Sequence, residues 1–301
     1  MSETPLLFNR ARVRQNRERA AAAFGAHDFL FREVAGRLAD RLLDIKRTFP
    51  TALDMGCHDG TLARILAETG IGRTRGIETM VQMDLAQPMA AVARHVTPAP
   101  TTPALVADEE TLPFADGAFD LIMSVMSLHW VNDLPGALIQ ARRALKPDGL
   151  FLAALPGRGT LHELAHVLLQ AEDEVEGGTS PHVAPFADVR DLGNLLVRTG
   201  FALAVADGET VTVSYESPLK LMDDLCAMGE GNALMARRTR SLTPATRARA
   251  AEIYVETFAD ADGRVPATFE VVTLTGWAPD ASQPKPLQPG SAKHSLKDAL
   301  E

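Results

Sequence analysis

Residues 53–60 read LDMGCHDG, and this stretch decides the fold. Before it, TALDM (51–55) follows Pro50 as a short apolar run of strand length. After it, TLARILAETG (61–70) carries apolar residues at helical spacing and a glycine stop at Gly70. The stretch is therefore a glycine loop that leaves a strand and opens a helix. A dinucleotide-binding loop in that position reads G-x-G-x-x-G. Here the pattern is D-x-G-x-x-x-G, from Asp54, Gly56 and Gly60. A carboxylate leading the loop repels a pyrophosphate and suits a cationic ligand. His58 stands where such loops often carry glycine, and a side chain there needs room and an unusual backbone angle. Tolerated or weakened ligand binding is the expectation, and a loop that has lost its ligand is the alternative.

Working outward, RGIETMVQMD (75–84) is a weaker strand ending at Asp84, and residues 87–95 form a short helix. PAPTTP (98–103) is a turn-rich connector, and ALVAD (104–108) a strand ending at Asp108. FDLIMSVMSLHW (119–130) is a strong apolar strand running into a loop. LPGALIQARRAL (134–145) is an amphipathic helix stopped by KPDG, and LFLAAL (150–155) is another buried strand. Strands alternating with helices imply an α/β fold with a parallel sheet covered on both faces. Ligands on such sheets sit at the carboxyl ends of the strands, where Asp54, Asp84 and Asp108 would all lie.

The flanks are less regular. Residues 8–47 read as helix, with Phe29, Val34, Leu38, Leu42 and Ile45 at near-helical spacing. Arg10, Arg12, Arg14, Arg17 and Arg19 in this lead-in read as a solvated basic helix, or as a docking face for an acidic partner. Beyond Leu155, HELAHVLLQAEDEVE (162–176) is a helix, GGTSPHVAPF (177–186) a loop, and DVRDLGNLLVRTG (188–200) a helix stopped by Gly200. FALAVADGETVTVSY (201–215) is strand-like, residues 218–259 are mostly helical, and FEVVTLTGWAP (269–279) is a last strand, added antiparallel. The Pro-rich, polar QPKPLQPGSAKHS (283–295) reads as unstructured. The resulting divisions are a helical lead-in (8–47), a ligand-binding core (48–157), a cover with the closing strands of the same domain (158–280) and a tail (281–301).

The bulk numbers narrow the function. The 301 residues are 46% hydrophobic and 23% charged, ordinary for a soluble globular chain of one large domain. A net charge of −9 argues against a nucleic-acid partner, which usually leaves a basic footprint. Two cysteines give no disulfide framework, so a reducing compartment is the simpler assumption. No apolar run is long enough to span a membrane, which leaves room only for peripheral contact, and no signal-peptide core is present.

The cationic ligand that fits these carboxylates is S-adenosylmethionine, with its ammonium and sulfonium. Gly56 and Gly60 let the backbone approach the amino-acid half, with Cys57 and His58 between them. Asp84 can accept from the ribose hydroxyls, with Glu78 as a rival, and Leu85 follows it. Asp108 can accept from the adenine amino group with Glu109 beside the base, and Ser127 opens the loop after the fourth strand. LDMGCHDG, DLAQPM, DEETLPFADGAFDLIMSVMSLHWVND and ALKPDGLFLAALPG together resemble the class I S-adenosylmethionine-dependent methyltransferases over residues 50–157. The resemblance implies a Rossmann-like, mostly parallel seven-stranded sheet with helices on both faces, N-terminal helices and a C-terminal helical cover.

A narrower resemblance runs through LFNRARVRQNRERAA, GGTSPHVAPFADVRDLGNLLVRTGF, LMDDLCAMGEGN, DGRVPATFEVVTLTGW and SQPKPLQPGSA, about Leu7 to Ser295. These segments are similar to mitochondrial complex I assembly factor five and its alphaproteobacterial relatives, and more distantly to malonyl-carrier-protein O-methyltransferase. That branch implies a protein client, such as an iron–sulfur subunit of complex I, or a carrier-protein acceptor. It implies methyl transfer or arginine hydroxylation, a cytoplasmic bacterial setting more than a mitochondrial matrix, and a lid made by SPHVAPF (180–186) and the C-terminal segment.

The residues single out no catalytic group. His129, in SLHWVND, is the best-placed general base, and packing beside Trp130 is the plainer reading. His182 is a loop-surface histidine or a substrate contact. Hydroxylation calls for a redox cofactor, and no H-x-D or H-x-E pattern announces an iron site. HELAH (162–166) matches the zinc-protease pattern but lacks a marked third ligand, so no metal is expected there. Cys57 reads as a packing residue in the loop, and Cys226, in an apolar helix, as core. A chaperone that binds cofactor and client without turnover is the non-enzymatic alternative, motivated by His58 and the arginine-rich lead-in.

Overall fold

The structure, a computed structural model, describes residues 6–96, 99 and 101–284. The expected tail from residue 285 on and part of the 98–103 connector lie outside these. The lead-in is two helices rather than one, α1 (Arg10–Ala20) and α2 (Phe29–Arg41), joined through a single 3-10 turn at Phe24–Ala26. Asn9 caps α1 by accepting from the Arg12 amide.

The alternating core follows in the order expected: β1 (Thr51–Met55), α3 (Thr61–Glu68), α4 (Ile71–Thr74), β2 (Thr79–Asp84), α5 (Gln87–Ala93), β3 (Ala104–Val106), β4 (Phe119–Val125), α6 (Leu134–Ala144) and β5 (Leu145–Pro156). The strand expected to reach Asp108 stops at Val106. KPDG does end α6, yet its chain stays within β5, where Asp148 adopts a left-handed φ of 59° and the pairing with β4 shifts register. The cover contributes α7 (His162–Glu176), α8 (Val189–Arg198), β6 (Ala202–Tyr215), α9 (Pro218–Ala227), α10 (Pro244–Phe258) and β7 (Val265–Trp277).

The strands form one seven-stranded sheet, order β3-β2-β1-β4-β5-β7-β6. The first five are parallel, and β7 pairs antiparallel with both β5 and β6. Apolar residues bury on both faces: α2, α3 and α7 pack on one, α6 and α8 on the other. The chain order reverses between β1 and β4, so the crevice at their carboxyl ends is where such a sheet binds ligands. On α2 the buried stripe is Leu30, Phe31, Val34, Ala35 and Leu38, while Phe29 is exposed. Phe29 is the first residue of its helix, and the inward face begins one residue later.

Candidate cofactor cleft and the neighbouring cavity

The loop after β1 is tied to the end of β2, because the amides of Gly56 and Cys57 both donate to the Met83 carbonyl. Gly56 (φ 78°) and Gly60 (φ 87°) occupy left-handed backbone, which only glycine takes without strain. His58 takes it too, at φ 50°. Its neighbours hold it there: the ring stacks on Phe24 at 5.5 Å between centroids and meets the edge of Phe31 at 4.7 Å. The His58 amide donates to Asp84. The ring Nε2 lies 3.3 and 3.2 Å from the carbonyls of Val125 and Met126, which can only accept, so Nε2 carries the proton. Burial, with the nearby Arg17 charge, pushes the imidazole below its usual range and keeps it neutral.

Beneath the loop, Asp54 is fully buried and, among the described residues, neither carboxylate oxygen has a hydrogen-bond partner. Burial, followed by the nearby Asp84 and Asp59, pushes its carboxyl well above the ordinary range. A buried carboxylate left unpaired is costly, and a cation placed beside it would lower that cost.

The other rim carboxylates are already engaged, and by the chain itself. Arg17 of α1 is 1% exposed. Its Nη1 donates to Asp84 and to Glu109, both at 3.1 Å, and its Nη2 to Ser127 Oγ at 2.8 Å. Arg10, two turns earlier, reaches Asp108 at 2.5 Å and also pairs with Glu109. Ser127 donates to Glu109 as well, at 2.5 Å. Burial alone would raise the Glu109 carboxyl, but Arg17 and Arg10 outweigh it and hold it at about 2. Ser127 and Glu109 also crowd Gly56: a Cβ built there would collide with Ser127 Oγ and lie 3.0 Å from Glu109 Oε1. The donor and acceptor set therefore suits a cationic, hydroxyl-rich cofactor, and in this conformation Arg10 and Arg17 of α1 already bond to its acceptors Asp84, Asp108 and Glu109.

Next to the cleft lies a mostly apolar cavity of about 440 Å³. Phe31, Met126, Leu164, Met228 and Phe269 contribute apolar wall, and His129, Trp130 and Glu230 a polar corner. His129 Nε2 and Trp130 Nε1 both lie 2.8 Å from Glu230 Oε2. Burial would raise the Glu230 carboxyl, but His129 and Arg17 bring it below its usual range. An ionised Glu230 accepts the His129 Nε2 proton and leaves Nδ1, which has no other partner, as a lone-pair acceptor.

Comparison with known proteins identifies the family. A methyltransferase-domain family matches residues 53–153. The arginine-hydroxylase NDUFAF5 of Danio rerio is 40% identical over 97% of this chain and 89% of its own length. The Homo sapiens protein of that name is 45% identical over 89% of this chain and 75% of its own. The chain belongs to the class I S-adenosylmethionine-dependent methyltransferases. Within that superfamily, a malonyl-[acyl-carrier protein] O-methyltransferase from Halorhodospira halophila is 35% identical over 90% of this chain and 88% of its own. A crystal structure of a putative methyltransferase from Bacillus halodurans shares the fold, with a TM-score of 0.56 at 17% identity over 80% of this chain and 99% of its own.

Against that superfamily's pattern the structure brings Asp54, Gly56, Cys57, His58, Gly60, Asp84, Leu85, Glu109 and Ser127 together as buried residues at one end of the sheet, with Asp108 part-exposed beside them. Glu78, the rival for the ribose, precedes β2 and sits at the opposite end, its amide bonded to Pro50. The basic lead-in is not simply solvated: Arg14 and Arg19 are exposed, but Arg10 and Arg17 turn inward onto the chain's own acids. Cys226 is exposed at the cavity margin, not core, because it lies on the outer side of α9 from Leu221. Cys57 is buried, and burial pushes its thiol well above the usual value, as suits packing. His182 bonds to Glu172 and lines the cavity with Val183 and Phe186, so SPHVAPF covers the cavity more than the cofactor loop.

HELAH does not form a centre. Glu163 accepts from the Thr268 hydroxyl and amide, His162 faces solvent and bonds to the Gly159 carbonyl, and His166 packs against Phe258. Among the described residues no group of three or more His, Cys, Asp or Glu is placed to hold a metal. No described helix is long and apolar enough to cross a membrane. Sequence reasoning missed Arg17, Arg10 and Glu230. A signal existed for the first two: Arg10, Val13, Arg17 and Ala20 recur at the spacing of one helical face, so two arginines stand at core positions.

Proposed function

We propose that the protein binds S-adenosylmethionine at the carboxyl ends of β1, β2 and β3 and modifies a side chain of a protein or carrier-protein client that enters the apolar cavity. The carboxyl of Asp54 beneath the glycine loop carries this reading: among the described residues neither of its oxygens has a partner, and a cation beside it would favour its charged form. When bound, the cofactor supplies an electrophilic methyl group on a sulfonium. Gly56, Cys57, His58 and Gly60 would face its methionine half, Asp84 its ribose, and Asp108, Glu109 and Leu85 its base. Ser127 would stand across from Gly56. The apolar walls exclude water and align the acceptor. A carboxylate acceptor needs no base, whereas an amine or hydroxyl can pass its proton to His129 Nδ1, held in that tautomer by Glu230. The resemblance to complex I assembly factor five supports a role in building respiratory complex I, and bacterial relatives fit the cytoplasmic bacterial setting proposed for it.

A second reading is modification of a client arginine. Two observations favour it: relatives named arginine-hydroxylase at 40% and 45% identity, and an acidic cradle that already holds a guanidinium. One experiment separates the readings. S-adenosylmethionine binding is measured by calorimetry on the wild type and on Asp84→Ala, then the client is analysed by mass spectrometry after incubation. Binding lost in the variant with a methyl group added to the client supports the first reading. An added oxygen atom on arginine supports the second. Client binding at unchanged mass points to an assembly factor without turnover, and no cofactor binding by the folded protein and its variants sinks all of these enzymatic readings.

A further inference from the structure

Helix α1 is held onto the body in an unusual way. Of its eleven residues only Val13, Asn16, Arg17 and Ala20 are buried, and two of those four are polar. The hold comes from Arg10 and Arg17 on the rim acids, and from a seam with the segment after α9. In that seam the Asn9 amide donates to the Ala233 carbonyl at 2.8 Å, and Asn16 Nδ2 donates to the Gly231 carbonyl at 2.7 Å. Phe8 pairs with Leu234, and the Met235 amide donates to the Leu7 carbonyl. Gly229 lies flat on the Arg17 backbone: a Cβ there would be 3.3 Å from Arg17 Cα. The same segment supplies Glu230, Gly231 and Asn232 to the cavity wall. One polar seam thus joins the lid of the cofactor cleft to the wall of the client cavity.

Resting on the cofactor reading above, we propose that α1 is an internal competitor for the cofactor: Arg17 and Arg10 take the hydrogen-bonding capacity of Asp84, Asp108 and Glu109, and cofactor binding displaces α1 together with residues 229–235, so that the client cavity opens only after the cofactor has bound. The reasoning is one of shared acceptors. Asp84 Oδ1 and Oδ2 already receive the amides of Ala86 and His58, and Oδ2 also receives Arg17, so a ribose needs the guanidinium to leave. Ser127 Oγ sits against Gly56 while it accepts from Arg17, so release of Arg17 also frees the serine to turn away from the loop. The bridging parts are neutral groups at Asn9 and Asn16 and exchangeable ion pairs, which open and reclose without unfolding the sheet.

The test uses the full chain and two readouts. In the first, amide hydrogen exchange is followed on the wild type with and without saturating S-adenosylhomocysteine, which binds as the cofactor does but transfers nothing. Faster exchange over residues 9–20 and 229–235 is expected; unchanged or slower exchange there, with the ligand bound, overturns the proposal. In the second, S-adenosylmethionine affinity is measured for Asn16→Ala, which loosens the seam and leaves every rim carboxylate paired. Affinity should rise about fivefold, the ratio that loss of one ordinary hydrogen bond from the closed state gives. Equal or weaker binding means that α1 helps to build the site and overturns the proposal, leaving the cofactor reading intact. Binding by Asn16→Ala but not by wild type supports it. Binding by neither overturns the proposal and the cofactor reading together.

Discussion

Replacing Arg17 by alanine removes a cation that touches Asp84, Glu109 and Ser127 at once. The size of the effect follows from Glu109. Its carboxyl is held at about 2, below the ordinary carboxylate range, and Arg17 contributes more to this than Arg10. Breaking a buried ion pair by removing one partner costs about 3–5 kcal/mol, and Arg10, which still pairs with Glu109, keeps the loss at the lower end. Arg17→Ala should therefore lose about 3 kcal/mol at neutral pH, and its melting temperature should fall by roughly 6 °C. The assay is urea unfolding followed by the fluorescence of Trp130, which touches Phe8 beside α1, and of Trp277 in β7. The pH dependence gives a sharper check. Glu109 is depressed in the folded state, so its stabilisation is present above the ordinary carboxylate range and is lost as pH falls from about 4.5 through about 2. The gap between wild type and variant should narrow across that window. A variant within about 0.5 kcal/mol of wild type at neutral pH, or a gap that widens on acidification, would refute the reasoning.

Other outcomes follow from the same geometry. Asp54 has a raised carboxyl, so its neutral form is favoured by folding, and the wild type loses stability as pH rises from the ordinary carboxylate range, about 4, toward the raised value. Asp54→Asn has no such loss, so its melting temperature relative to wild type should climb with pH; a flat difference between the two proteins would count against an unpaired Asp54. His58→Gly relieves the left-handed backbone but empties the space against Phe24 and Phe31, for a net loss of about 2 kcal/mol with tighter cofactor binding by calorimetry. A gain in stability would show that the ring is strained rather than packed. His162→Ala should leave melting within about 0.5 kcal/mol of wild type, and metal analysis of the purified protein should find no stoichiometric zinc.

Much of this was legible in the chain. The alternation of apolar strands and helices between Thr51 and Pro156 gave the parallel core, because each local period agreed with its neighbours; Asp54 and Asp84 were read at strand ends and lie there, whereas Asp108 lies two residues past the end of β3. The antiparallel return of β7 was also readable, its apolar run being the last one in the described chain. The closed cleft was not. Arginine at a core position of a polar helix makes no apolar period, so α1 resembled a solvated surface helix. Glu230 lies in a loop about a hundred residues from His129, and no spacing rule relates two such groups. Cys226 was misjudged for the opposite reason, since an apolar stretch in a cover helix does not say which side of it meets the body.

The two cysteines have a practical meaning for anyone who works with this chain. Burial raises both thiols, Cys57 well above its usual value because it is sealed under the loop, while Cys226 is exposed at the margin of the cavity. A thiol-directed fluorophore added to the folded protein therefore has a single point of attachment, and it lies beside the place where a client would arrive. The native chain carries its own reporter: quenching or release of a dye at Cys226 would time the arrival of each partner in real time, with no mutation and no tag.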